Sequence, residues 1–126
     1  ALEMMDVLGA LNRRRVGRGE SALAIGIGIH TGPLVAGYVG SSKALSYTVI
    51  GDTANTSARL CGIAEAGQVV VSENTAARLG NRFEMLELPP AKLKGKERPL
   101  RCFDVKSERG VQRAVHPLLD GKSATA

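Results

Sequence analysis

The sequence predicts an α/β domain on three observations. Apolar residues recur at helical spacing at the N-terminus, bulky and small residues alternate in strand fashion from Leu23 to His30, and β-branched runs lead into amphipathic segments further on. At 126 residues and 44% hydrophobic composition, the chain can build one core and is not disordered by composition. With no Trp, two Tyr and two Phe, that core must be aliphatic, and the aromatic platforms on which single-stranded nucleic acid stacks are missing.

The elements follow in order. From Leu2 to about Arg15, Met4, Leu8 and Leu11 lie at helical spacing, with Glu3 and Asp6 early and Arg13, Arg14 and Arg15 late, which suits the helix dipole. The basic turn Val16-Gly-Arg-Gly19 ends that helix. From Leu23 to His30, Ile25, Ile27 and Ile29 alternate with Ala24, Gly26 and Gly28, giving a strand with one bulky and one nearly bare face that would admit a helix or a ligand. Its glycines lie inside the strand with no third glycine before a helix, so they are not a dinucleotide fingerprint. His30, alone at the strand end, reads as structural. Thr31 to Gly40 reads as a turn and a short helical or irregular element, Ser41 to Leu45 as a polar loop, and Ser46 to Ile50 as a strand.

Gly51 breaks that strand. Asp52 is a good N-cap for a helix from Thr53 to about Ala66, closed by Gly67. Capping accounts for Asp52, and no second carboxylate lies near it to suggest a metal site. Gln68 to Ser72 is a strand, Glu73 to Leu79 a short helix, and Arg82 to Leu88 a strand ending at Pro89-Pro90. Leu100 to Val105 closes the fold. The expected domain therefore spans 1–105, and 106–126, where periodicity is lost, is expected to be a mobile tail.

Chemistry concentrates on the helix after Gly51. Helical spacing puts Asn55 and Arg59 on one face, with Ser57, Leu60, Cys61 and Ala64 expected to pack inward. A permanently charged guanidinium beside a planar amide suits a phosphorylated ligand, although the same pair also serves as a solvated helix face. The net charge of +5 is compatible with nucleic acid, acidic lipid or a phosphorylated ligand. Its basic residues fall in a turn (Arg13, Arg14, Arg15, Arg18), a loop (Lys92, Lys94, Lys96, Arg98) and the tail, without the single stripe that would favour nucleic acid. Gly121-Lys122-Ser123 looks like the close of a P-loop, but the position five before Gly121 is His116 and no strand precedes it. Cys61 and Cys102 lack disulfide or metal spacing and read as buried thiols, which fits a reducing cytoplasm. No apolar run reaches the length of a membrane span or signal sequence. The chain starts with Ala, in mid-helix, and reads as a fragment of a larger protein.

Ile25-Gly-Ile-Gly-Ile-His-Thr-Gly32, Gly37-Tyr-Val-Gly-Ser41, Tyr47 to Leu60, Gly67-Gln-Val-Val-Val-Ser72 and Leu93-Lys-Gly-Lys96 occur in this order between Leu2 and about Val105. Together they resemble the nucleotide-binding half of class III adenylate and guanylate cyclase catalytic domains, most of all the bacterial adenylate cyclases. The resemblance implies the later part of a ferredoxin-like cyclase fold, an antiparallel or mixed sheet with helices packed on one side. It also implies an active site between two head-to-tail cyclase domains, a homodimer in the parent enzyme.

In such a site the ribose 3′-hydroxyl attacks the α-phosphorus of ATP and pyrophosphate leaves, so orientation and electrostatic stabilisation carry most of the catalysis. By resemblance Asn55 positions the ribose and Arg59 stabilises charge on the phosphate under attack. Lys94 binds the leaving phosphates, while Lys92 and Lys96 read as solvated loop lysines. Thr48 stands where adenylate cyclases carry Asp or Thr, able to accept from the exocyclic amine of adenine, which favours ATP over GTP. Two divalent ions, Mg or Mn, are implied in the parent enzyme. The aspartates that hold them, and the base-selecting Lys, would lie before Ala1, so this chain alone is expected to be inactive. Two other readings stay open: a degenerate, non-catalytic cyclase-like domain that binds nucleotide or a partner, and a nucleic-acid-binding fragment suggested only by charge.

Overall fold

The computed structural model describes residues 1–92 and 98–110. In chain order it contains α1 (Leu2–Gly17), β1 (Ile27–Ile29), β2 (Val35–Ser41), β3 (Ala44–Ile50), α2 (Asp52–Ile63), β4 (Val69–Ser72) and α3 (Glu73–Leu79). A single turn of 3₁₀ helix (Gly80–Arg82), β5 (Phe83–Glu87) and β6 (Cys102–Glu108) follow. The strands form a mixed four-stranded sheet in the order β1-β4-β6-β5 and a separate β2–β3 hairpin. Within the sheet β1 and β4 are parallel, and β6 runs antiparallel to both β4 and β5.

Strand β4 explains the layering. All four of its residues, Val69 to Ser72, are buried, as expected of a strand covered on both faces. Val70 faces Leu60 of α2 and Cys102 of β6, with Ala64, Leu88 and Leu100 around them. Val69 and Val71 face the other way, into a cluster with Ala76, Val105, Leu2, Met5 and Leu79. The helices therefore lie on both faces of the sheet, where one-sided packing was expected: α2 on one face, α1 and α3 on the other. Leu60, fully buried, contributes about 1.5–3 kcal/mol on the first face.

The bare face of the first strand does admit a helix. A Cβ built on Gly28 would lie 2.8 Å from the Cα of Cys61 and from the carbonyl carbon of Leu60, and one on Gly26 would lie 2.8 Å from the Ala64 carbonyl oxygen. Helix α2 thus rests its backbone on these glycines.

Several expectations are corrected. Strand β1 is only Ile27–Ile29; upstream of it Asn12 of α1 takes the backbone of Leu23, its Nδ2 donating to the Leu23 oxygen and its Oδ1 accepting from the Leu23 nitrogen, both at 2.7 Å. The segment expected to be helical or irregular, and the polar loop after it, form β2 and the start of β3 instead, in full register from Val35↔Ile50 to Ser41↔Ala44. Cross-strand pairing supplies what the glycine-rich local sequence lacks: Tyr38 stands opposite Tyr47, their rings edge to face at 5.2 Å. Helix α2 begins at Asp52, with Gly51 in the N-cap position at φ 134, a conformation that favours glycine, and it ends at Ile63 instead of near Ala66. Strand β6 runs to Glu108, so 106–108, expected in the tail, belong to the sheet; 111–126 lie outside the described residues.

The face of α2 also differs from expectation. Thr53, Thr56 and Leu60 point inward, and Cys61 is exposed. Cys102 is buried as expected, and burial pushes its thiol pKa up. Under native conditions iodoacetamide should therefore alkylate Cys61 and spare Cys102 until the protein is unfolded. Mass mapping of the labelled thiols checks this, and rapid labelling of Cys102 would contradict it.

Candidate active site

The site is built on the strand–glycine–helix unit formed by β3, Gly51 and α2. The break at Gly51 turns the chain from the hairpin into the helix, whose first intrahelical bond runs from Asn55 N to Gly51 O at 3.1 Å. Asn55 and Arg59 follow one helical turn apart, and both are exposed on the side away from Thr53, Thr56 and Leu60. Neither side chain makes a hydrogen bond or ion pair among the described residues. The arrangement thus offers an uncommitted cation and an amide on one surface, next to a helix start that favours negative charge.

Thr48 lies on β3, half-buried, and its register partner is Gly37. The space a Cβ would take on Gly37 is open, so the threonine side chain stands beside a gap in the hairpin. Lys94 and Lys96 lie outside the described residues. The structure thus places Asn55 and Arg59 together and Thr48 on the strand leading into their helix.

The start of α2 is held by a contact that the sequence did not signal. Thr53 Oγ1 donates to the Pro33 carbonyl at 2.5 Å, and the turn that carries Pro33 is fastened in turn to α3. Thr31 Oγ1 and Thr75 Oγ1 are 2.9 Å apart, and His30 Nδ1 meets Ser72 Oγ at 2.6 Å. Ser72 is the N-cap of α3, its side chain accepting from Thr75 N. His30 thus has a structural contact at the end of the sheet.

Two features elsewhere do not join this site. A cavity of about 510 Å³, lined by Leu2, Ile29, Val71, Leu79, Phe83 and Val105 among others, lies on the sheet face opposite α2. Asp104, 2% exposed, accepts from Val69 N and pairs with Lys106 Nζ at 2.6 Å in the sheet. Among the described residues no group of three or more His, Cys, Asp or Glu could hold a metal ion, so these donors do not fit a two-ion site.

Residues 1–107 match the adenylate and guanylate cyclase catalytic domain model. The chain belongs to that family. The cyclase domain is 33% identical over 126 residues to adenylate cyclase 1 of Rhizobium meliloti (strain 1021), covering 98% of this chain and 18% of that protein. Its fold superposes on the crystal structure of the guanylyl cyclase Cya2 with a TM-score of 0.77 and 32% identity, over 85% of this chain and 54% of that one. A second similar structure is the guanylate cyclase domain of RhGC from Catenaria anguillulae in complex with GTP, with a TM-score of 0.60 and 26% identity, over 65% of this chain and 44% of the other. The cyclase domain thus spans less than a fifth of the Rhizobium protein and about half of the Cya2 chain. The family is generally dependent on divalent metal ions, and its structures include nucleotide complexes and dimers. No helix among the described residues is long and apolar enough to cross a membrane.

Proposed function

We propose that this cyclase domain supplies the ribose- and phosphate-binding half of a composite active site that converts ATP to cyclic AMP and pyrophosphate. The observation that carries the reading is the pair Asn55 and Arg59, exposed one turn apart on α2, with side chains that make no hydrogen bond or ion pair among the described residues. In this reading Asn55 orients the ribose so that its 3′-hydroxyl lies in line with the α-phosphorus. Arg59 meets the charge that grows on that phosphate, where a preoriented cation lowers the barrier. Lys94 holds the leaving phosphates, and Thr48 accepts from the exocyclic amine of adenine.

The name of the Rhizobium relative supports ATP, whereas Cya2 is a guanylyl cyclase, so base choice rests on Thr48. The other half of the site, with the aspartates for two divalent ions, comes in this reading from a second cyclase domain, as a homodimer of the parent enzyme in the cytoplasm. The hairpin supports a partner there. Tyr38 and Tyr47, opposite each other on one face of the hairpin, are 73% and 65% exposed, an apolar pair on the strands that lead through Gly51 into the helix bearing Asn55 and Arg59.

The test assays this chain with Mg²⁺ or Mn²⁺, alone and mixed with a cyclase domain that keeps its aspartates but lacks a working arginine. The chain alone should be silent. Mixing should restore cyclic nucleotide formation, with ATP used in preference to GTP. Turnover by the chain alone would place the metal ligands within it, and equal or faster use of GTP would refute the role of Thr48.

A further inference from the structure

We infer that Thr53 is a positioning residue for the Asn55–Arg59 pair, its hydroxyl tying the first turn of α2 to the turn at Thr31–Pro33 and so setting where the two outward side chains stand. The inference rests on the catalytic role proposed for that pair.

Helix α2 starts without a side-chain cap hydrogen bond, its N-cap position being taken by Gly51. A helix that follows a glycine with no side-chain cap can shift on that hinge. Thr53 restrains it from outside the helix. The residue is 8% exposed, and its hydroxyl donates to the Pro33 carbonyl at 2.5 Å instead of to a carbonyl of its own helix, the usual local alternative for threonine. Gly32 makes the room: a Cβ there would lie 2.7 Å from Thr53 Oγ1.

The receiving turn is itself anchored. Thr31 Oγ1 is 2.9 Å from Thr75 Oγ1, and His30 Nδ1 is 2.6 Å from Ser72 Oγ, where Ser72 ends the buried strand β4 and caps α3. A chain of contacts thus runs from the core of the sheet, through the turn, to Thr53 and the helix turn that carries Asn55. Neither Thr53 nor the turn needs to touch nucleotide to affect the reaction, because displacing a reacting group by about 1 Å can cost up to roughly 10²-fold in rate.

The experiment measures steady-state kinetics and thermal unfolding of the parent enzyme carrying Thr53→Val, Thr53→Ser, Gly32→Ala, Arg59→Ala, or Thr53→Val with Arg59→Ala. Valine keeps the shape and removes the donor, so kcat should fall about tenfold, with KM for ATP within about twofold of wild type. Serine, which keeps the hydroxyl, should retain most of the turnover. Gly32→Ala presses on the same hydroxyl from the other side and should reproduce the loss of kcat, which keeps the inference testable if Thr53→Val unfolds. Because Thr53 acts through the pair, Thr53→Val should cost much less in the Arg59→Ala background than in wild type. If Arg59→Ala lowers kcat while Thr53→Val or Gly32→Ala leaves it at wild type, the positioning role falls and the site stands. A Thr53→Val loss undiminished in the Arg59→Ala background overturns the positioning role in the same way. If Arg59→Ala itself leaves turnover unchanged, the reading of the site falls, and the positioning role falls with it.

Discussion

In the proposed two-domain cyclase, replacing Arg59 by alanine should lower kcat by about 10²–10³-fold, with a much smaller change in KM for the nucleotide. The guanidinium projects from the exposed face of α2 and makes no hydrogen bond or ion pair among the described residues. Its removal therefore breaks no contact described in the fold. In the proposed mechanism its charge matters most when negative charge accumulates around the α-phosphorus, which is why the loss should fall on turnover. Lysine keeps the charge and loses the planar fork, so Arg59→Lys should recover only part of the rate. Steady-state kinetics with circular dichroism on each variant decide the matter: an unchanged kcat would remove Arg59 from the site.

The second large effect is structural. Gly28→Ala should destabilise the domain by about 3 kcal/mol, at the upper end of ordinary overpacking, because the new methyl meets backbone atoms of α2 that cannot rotate away. A loss of that size should lower the melting temperature by roughly 10 °C or more in a domain of this length. Gly37→Ala is the control, since the space beside Gly37 is open and alanine there should change the melt little. Equal melting of wild type and Gly28→Ala would mean that α2 does not rest on β1 as described.

The contrast between these glycines shows what the sequence carried. Alternation of isoleucine with glycine is a strong pattern, and it correctly announced a strand face made for close approach; the same strand–glycine–helix logic located α2 and its exposed Asn55 and Arg59. The hairpin was not legible, because Val35-Ala-Gly-Tyr-Val-Gly-Ser41 has the local character of a loop and becomes a strand only through its pairing with Ala44–Ile50. The capture of Leu23 outside the sheet was equally hidden, since it is made by Asn12, a side chain from another element. Cys61 was misplaced because buried threonines were not expected: Thr53 is accommodated by its hydrogen bond to Pro33, which turns the inward face toward Thr53, Thr56 and Leu60. Lys94, the one phosphate ligand expected outside the strand–helix unit, lies beyond the described residues.

The pairing of β4 has a consequence for how the chain acquires its shape. Its partners are β1, reached only after the hairpin and α2 have intervened, and β6, reached only after α3 and β5. Neither ladder forms by local zipping, and loop closure must precede any return from burying the four β4 residues. The β2–β3 hairpin, by contrast, joins neighbouring strands through a tight turn and can form on the microsecond scale of isolated hairpins. The exposed apolar tyrosines would therefore be arrayed before the sheet closes. During that interval a nascent chain carries sticky hairpin surface and an unpaired core strand together, the combination most prone to association with other incomplete copies.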